Sequence, residues 1–221
     1  MSKFAKILEQ IITFGQGQRL LRYTTRQSDM KRVAAGDPAV PSSRTEDNQP
    51  MSQHIAVDGR QVDLSQMESF RVCGNSMLPQ DIADGDSLFV RQLPADQYKA
   101  GDFLVIQVDE NYYRKYKPKT LVYSYKLRRA LLRLEPGVGN DEMISRLKEL
   151  DNAAYLEDMQ RYAMRKYQKA RQAYPDRELM LSTTYHDGEL KYSFHPVDLI
   201  YGKAEIVYSG EKARYRYLSA A

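Results

Sequence analysis

Ser76 stands in a sequence context that suits a nucleophile. Ser76 follows the run Phe70–Cys73 and a glycine, and Met77 comes directly after it. Aromatic and β-branched residues favour a strand, and glycine favours a tight turn, so the hydroxyl would lie at a strand end. Taken alone, Gly-x-Ser-Met is a short motif, and a serine in an ordinary turn would look the same. Cys73, a small apolar residue in the predicted strand, is better explained as core than as a nucleophile.

A serine hydroxyl needs a nearby base that takes its proton. The three histidines are poor candidates, because His54 lies in a linker-like region, His186 in a Tyr-His-Asp-Gly turn, and His195 before a proline. We expect surface or turn positions for all three. A lysine can act instead when burial disfavours its charged form and leaves a neutral amine. Lys126 fits this requirement, because aromatic and apolar residues flank it in a strand-like run; the alternative is a structural strand lysine.

A segment of small residues near the N-terminus could be the substrate. Ala35 and Gly36 offer little side-chain bulk, and Pro38 restricts Asp37 to extended conformations. Such a segment could lie against a narrow catalytic cleft, although a surface loop would have a similar composition. The 40 positions between Gly36 and Ser76 leave enough chain for the segment to fold back onto the serine.

Taken together, these motifs resemble the LexA/UmuD-like self-cleaving serine peptidases. That family pairs a Gly-x-Ser-Met nucleophile with an Ala-Gly bond in its own N-terminal region. Leu78-Pro79, Asp84-Gly85-Asp86 and Gly101-Asp102 fit the same pattern. The resemblance covers roughly residues 33–130 and, more loosely, residues 198–208. The chain departs from the family in its longer serine–lysine separation of 50 positions and in an arginine that stands one position later.

The resemblance implies a role for each candidate residue. Ser76 would be the nucleophile, and Lys126 the general base and then the general acid. The backbone N–H groups of Ser76 and Met77 would form the oxyanion hole. The bond between Ala35 and Gly36 would be the one that is cut. The chain's own N-terminal segment would therefore be the substrate.

The resemblance also implies a biological setting. Self-cleavage would be a regulatory switch in a stress or DNA-damage (SOS) response, with a RecA filament as trigger, a DNA polymerase as possible partner, and homodimerisation. About 30 residues precede Ala35, too few for a helix-turn-helix domain with its own core, which favours the UmuD-like branch. The alternative function is a catalytically inactive peptidase-like module that binds a protein partner or nucleic acid.

Composition narrows the class of protein. The 221 residues suit one domain with an arm or an insertion, and an apolar content of 42% can build a core. A single cysteine excludes an internal disulfide and fits a reducing compartment, so we expect a cytoplasmic protein. No apolar run approaches the roughly 20 residues of a membrane span. No metal-ligand spacing and no phosphate-binding glycine loop is present, so we predict no metal and no cofactor.

The hydrophobic patterns predict a mainly β fold: a compact, bent sheet or incomplete barrel of the LexA/UmuD peptidase type. Residues 1–50 would form a mobile arm with a short amphipathic helix and the cleavage segment, and residues 51–221 the peptidase-like domain. A helical insertion is expected at about 140–174, as one helix from Asn140 to about Ala173. Its apolar face would be buried, and its charge changes from acidic to basic. It would either associate with a second copy or cover its own domain.

A basic, tyrosine-rich stretch supports the competing class of function. Between Asn111 and Leu134 there are eight Lys/Arg, five tyrosines and no acid. Such a stretch could hold single-stranded nucleic acid by phosphate contacts and base stacking. The alternative is a solvated strand, because charge runs usually face water and tyrosines are ordinary strand formers.

Overall fold

The computed structural model describes residues 31–34, 54–109, 125–150, 157–186 and 189–218. Within these ranges the fold is mainly β, which confirms the fold class expected from the sequence. The strands are β1 (Lys31–Ala34), β2 (His54–Val57), β3 (Arg60–Asp63), β4 (Glu68–Cys73), β5 (Ser87–Arg91), β6 (Phe103–Gln107), β7 (Tyr125–Leu134), β8 (Leu179–His186), β9 (Glu189–Pro196), β10 (Ile200–Ser209) and β11 (Arg214–Tyr217). The two helices are α1 (Asn140–Leu150) and α2 (Glu157–Ala173).

The main sheet curls into an incomplete barrel. Its strand order is β1-β4-β5-β10-β6-β7-β8-β9, with β11 paired to β10. The strands from β4 to β7 pair antiparallel, whereas β1 pairs in parallel both with β4 and with β7. The gap between β4 and β7 is therefore filled by β1. A strand from the predicted arm thus belongs to the sheet itself.

The interior of the curled sheet is apolar. Phe70 and Val72 of β4 and Leu127 of β7 are at most 1% exposed and belong to one buried cluster. Met77 and Ile82, which flank the turn after Ser76, lie in the same cluster. Successive side chains of a strand point to opposite faces. Residues next to these in sequence, including Lys126, therefore lie on the other face of the sheet.

The predicted helical insertion is real, but the expectation of a single helix is wrong. α1 and α2 contact each other, and residues 151–156 between them lie outside the described residues. Met143 and Leu147 of α1 and Tyr167 of α2 are buried in a cluster with strands β7, β8 and β9. Tyr167 also donates a hydrogen bond to the carbonyl of Val138, at 2.6 Å. The apolar faces of the helices thus cover the chain's own sheet, which is the second of the two roles expected from the sequence.

A small hairpin, β2–β3, completes the described part of the chain. It forms a separate two-stranded sheet that packs with Val57 against Phe89 and Ile206 of the main sheet. None of the helices that the structure describes is long and apolar enough to span a membrane.

Candidate active site

The turn that carries Ser76 is held by the Asp-Gly-Asp motif ten residues further on. β4 ends at Cys73, and Gly74 adopts a positive φ of 91° that favours glycine. The N–H of Gly74 donates to Asp84 Oδ1 at 2.7 Å, and the N–H of Asp84 donates to Asn75 Oδ1 at 3.1 Å. These reciprocal bonds lock the two turns together and explain why the sequence carries both motifs.

The hydroxyl of Ser76 is buried, and it has no hydrogen-bond partner among the described residues. The backbone around it is well anchored, because its carbonyl accepts a hydrogen bond from the N–H of Tyr185 in β8, at 3.0 Å. Buried polar atoms in folded proteins are nearly always hydrogen-bonded. An unsatisfied buried hydroxyl at this position is therefore a candidate for chemistry rather than for stability.

Lys126 lies near the start of β7 and is only 3% exposed. It pairs with Ile106 of β6, and its neighbour Leu127 faces the core of the curled sheet. Burial of an amine disfavours its ammonium form. The lysine singled out from the sequence is therefore buried, and its role as a base stays a prediction.

Strand β1 brings the predicted substrate segment between the strands of the two candidate residues. Ala34 is in register with Cys73 of β4, three residues before Ser76, and also with Lys126 of β7. Neighbouring strands are about 4.8 Å apart, so the two backbones that flank Ala34 are separated by roughly 10 Å. The next residues in the chain are Ala35 and Gly36, which lie outside the described residues.

The structure does not join Ser76 and Lys126 by a hydrogen bond, since the serine hydroxyl makes none. Catalytic hydrogen bonds often form only in the reacting complex, so this does not exclude the pair. The predicted oxyanion hole would use the backbone N–H groups of Ser76 and Met77, and the carbonyls of the same two residues are hydrogen-bonded. The carbonyl of Ser76 accepts from the N–H of Tyr185, and that of Met77 accepts from the N–H groups of Gln80 and Ile82. These bonds to the carbonyls fix the backbone of the turn.

The Gly101-Asp102 motif has a structural explanation. Asp102 is 3% exposed and forms an ion pair with Lys203 of β10, at 2.6 Å. Its carbonyl accepts a hydrogen bond from the N–H of Ala130, and the N–H of Gly101 donates to the carbonyl of Ala130. The motif thus fastens the turn before β6 to β7, the strand that carries Lys126.

A cavity of about 90 Å³ lies beside Lys126, and several of its residues were not singled out from the sequence. Asp109, Lys166 and Tyr174 line it, and Tyr174 donates a hydrogen bond to Asp109 at 2.8 Å. His195 lines it as well, in strand β9, so the expectation that this histidine is a surface or turn residue is wrong. No local pattern marks these residues, because three distant segments bring them together.

The other two histidines lie at the surface, as the sequence predicts. His54 is the first residue of β2, His186 is the last residue of β8, and both are exposed. Within the described ranges, no group of three or more His, Cys, Asp or Glu side chains could hold a metal ion. Most of the basic, tyrosine-rich stretch, residues 110–124, lies outside the described residues, as does the predicted amphipathic helix.

Comparison with known proteins agrees with the family resemblance that the sequence motifs indicate. Residues 28–120 match a family model described as Peptidase S24-like, and this stretch includes β1 and the Ser76 turn but ends before Lys126. No curated protein matches the chain. The match does not distinguish the UmuD-like branch from the other members. Residues 28–120 are thus similar to the Peptidase S24-like family, that of the LexA/UmuD self-cleaving serine peptidases.

Proposed function

We propose that this protein is a serine peptidase that cuts its own chain between Ala35 and Gly36. One observation carries the proposal: Ala34 pairs with Cys73 on one side and with Lys126 on the other. Ala34, the second residue before the scissile bond, is thus bound in an extended form between the strand that leads to Ser76 and the strand of the lysine. Tethering of the bond at this place provides a high effective concentration, which helps even a weakly activated nucleophile.

The proposed chemistry uses only groups of this chain. Neutral Lys126 takes the proton from the Ser76 hydroxyl, and Oγ attacks the carbonyl carbon of Ala35. The backbone N–H groups of Ser76 and Met77 stabilise the oxyanion that forms. When the bond to Gly36 breaks, Lys126 returns the proton to the leaving amine. Water then hydrolyses the ester on Ser76 and releases the Ala35 carboxylate.

The test is the mass of the intact protein after incubation at alkaline pH. We expect the loss of residues 1–35 and a product that begins at Gly36. Ser76→Ala and Lys126→Ala should each abolish this product. Lys166→Ala is the matched control, because Lys166 lines the same cavity as Lys126 but is not part of the proposed mechanism. A different new N-terminus, or normal cleavage by the Lys126→Ala variant, would contradict the assignment.

The regulatory setting is a further part of the proposal. In line with the family resemblance, cleavage would act as a switch in a cytoplasmic stress or DNA-damage response, triggered by a RecA filament, in a homodimer, with a DNA polymerase as possible partner. Incubation with RecA, single-stranded DNA and a nucleoside triphosphate should then accelerate the appearance of the product. An unchanged rate would separate this protein from the SOS pathway without removing its peptidase activity.

The inactive binding module is the second candidate, and one observation favours it. The Ser76 hydroxyl makes no hydrogen bond among the described residues, so the described conformation is not one in which a base has engaged it. A fluorophosphonate probe distinguishes the two functions, because only an activated serine reacts with it. Labelling that is lost in Ser76→Ala supports the peptidase. A folded chain that neither cleaves nor reacts would contradict the peptidase function and leave the binding module as the candidate.

A further inference from the structure

The segment directly after the nucleophile contains a strained residue. A short 3-10 helix spans Leu78–Gln80, and the residue that ends it, Asp81, has φ 57° and ψ 37°. Left-handed backbone is costly for residues other than glycine, by about 1 kcal/mol or more. Such a conformation persists only where the surrounding structure holds it.

The C-terminal hairpin holds it. Arg216 of β11 donates from Nη2 to the carbonyl of Gln80, at 3.0 Å, and to the carbonyl of Asp81. Its Nε lies 3.6 Å from the Asp81 carboxylate, and Lys212 donates a hydrogen bond to the same carboxylate. One guanidinium nitrogen, Nη2, thus binds two successive carbonyls, while Nε lies beside the Asp81 carboxylate, so the planar group contacts backbone and side chain together.

These contacts reach Ser76 through a short hydrogen-bonded unit. The carbonyl of Met77 accepts hydrogen bonds from the N–H groups of Gln80, at 2.9 Å, and Ile82, at 3.3 Å. On the other side of the turn, β8 holds the carbonyl of Ser76 through Tyr185. The nucleophile therefore lies between two anchors, and β11 provides one of them.

The hairpin is itself fixed to the core. Leu218, which follows β11, is 4% exposed and belongs to the same buried cluster as Met77 and Ile82. Its N–H donates to the carbonyl of Glu205 in β10, at 2.7 Å. Arg216 thus extends from a rigid element toward the turn, and it lies outside the stretch that matches the family model, residues 28–120.

We infer that Arg216 is a positioning residue for the nucleophile: it holds the Gln80–Asp81 backbone and thereby the orientation of Ser76. The inference rests on the proposed function, since it concerns the rate of the same reaction. A displacement of about 1 Å at a reacting group can cost roughly 100-fold in rate. Loss of Arg216 should therefore slow cleavage far more than its effect on folding explains.

The experiment compares Arg216→Ala with Arg214→Ala. Arg214 lies two residues earlier on the same strand, is exposed, and makes no hydrogen bond to the turn among the described residues. We expect Arg216→Ala to lower the first-order cleavage rate by roughly 10-fold to 100-fold and Arg214→Ala to leave it within about twofold. Fluorophosphonate labelling of Ser76 should slow by a similar factor, because the probe reacts with the Ser76 hydroxyl itself. The probe does not require the substrate segment, so slower labelling would locate the defect at the serine. Free guanidinium ion at millimolar concentration should partly restore the Arg216→Ala variant.

The outcomes separate the two proposals. If the wild-type chain neither cleaves nor reacts with the probe, the proposed function fails. If the wild-type chain is active and Arg216→Ala, folded by circular dichroism, cleaves at the wild-type rate, the positioning role is refuted. Should Arg216→Ala fail to fold, Arg216→Met replaces it, because methionine keeps much of the apolar stem but donates no hydrogen bond to either carbonyl. A wild-type rate for Arg216→Met would then refute the inference.

Discussion

One added methyl group at Gly202 of β10 should destabilise the sheet. A Cβ built there would lie 2.7 Å from the carbonyl oxygen of Arg91 and 2.7 Å from Val90 Cγ1, both in β5. The carbonyl is backbone and cannot rotate away as a flexible side chain would. We therefore expect Gly202→Ala to push β10 away from β5 by several tenths of an ångström, and β10 is the strand that joins β5 to β6.

The magnitude follows from two opposing effects. Overpacking a buried site costs about 1–3 kcal/mol, and a clash with fixed backbone belongs at the upper end of that range. Alanine also restricts the unfolded chain, which returns about 0.4–1 kcal/mol. The net loss in the free energy of unfolding should be about 2 kcal/mol. For a chain of this size, that corresponds to a fall in Tm of roughly 4–8 °C.

The assay is urea unfolding followed by circular dichroism, in a Ser76→Ala background so that cleavage cannot interfere. Gly210→Ala is the matched control, because Gly210 directly follows β10 and a Cβ there would meet nothing within 4 Å. That variant should be as stable as the parent, or more stable by up to about 1 kcal/mol. Equal stability of the two variants would show that β10 and β5 do not approach as closely as described.

Three further predictions address Lys126, the packing of α1, and the contact between Asp81 and Lys212. If Lys126 is the base, the cleavage rate should rise with pH and then level off, because only the neutral amine accepts a proton; for a reaction in cis, the half-time should not change on dilution. Leu147→Ala should lower the free energy of unfolding by about 2–5 kcal/mol, since Leu147 is fully buried, whereas Leu150→Ala, at a position 51% exposed, should change it by less than about 0.5 kcal/mol; equal effects would contradict the packing of α1. The hydrogen bond from Lys212 lowers the pKa of Asp81 below its ordinary value of 3.8. The ionised Asp81 carboxylate therefore makes a small contribution to stability, which is complete above about pH 4 and is lost as the pH falls through the lowered pKa. The stability difference between the parent and Asp81→Asn should therefore shrink in acid, and a constant difference would contradict this linkage.

Local sequence was enough to predict several strands, the helical insertion and the turn that carries Ser76. Short apolar, β-prone runs at residues 87–90 and 103–108, bounded by Asp-Gly and Gly-Asp, predict strands where β5 and β6 lie, because such runs suit buried strands. Glycine before Ser76 marked a turn, since few other residues adopt a positive φ. Lys126 was selected because it stands where the family resemblance implies a lysine, and its aromatic and apolar sequence neighbours favour a buried strand. The capping residues and the helical spacing of apolar residues predicted a helix over residues 140–173, but not the break between α1 and α2.

Tertiary structure alone decided what surrounds these residues. The parallel pairing of Ala34 with Cys73 and Lys126 joins segments that are far apart in the chain, and backbone hydrogen bonds between strands carry no local sequence signal. The same holds for Arg216, whose contacts with the nucleophile turn depend on where β11 pairs with β10. Periodicity tells which face of an element is buried, but not which distant element covers it. Which distant elements meet depends on how the whole core packs. The cavity beside Lys126 and the contacts of Arg216 with the Gln80–Asp81 backbone could therefore be identified only from the folded chain.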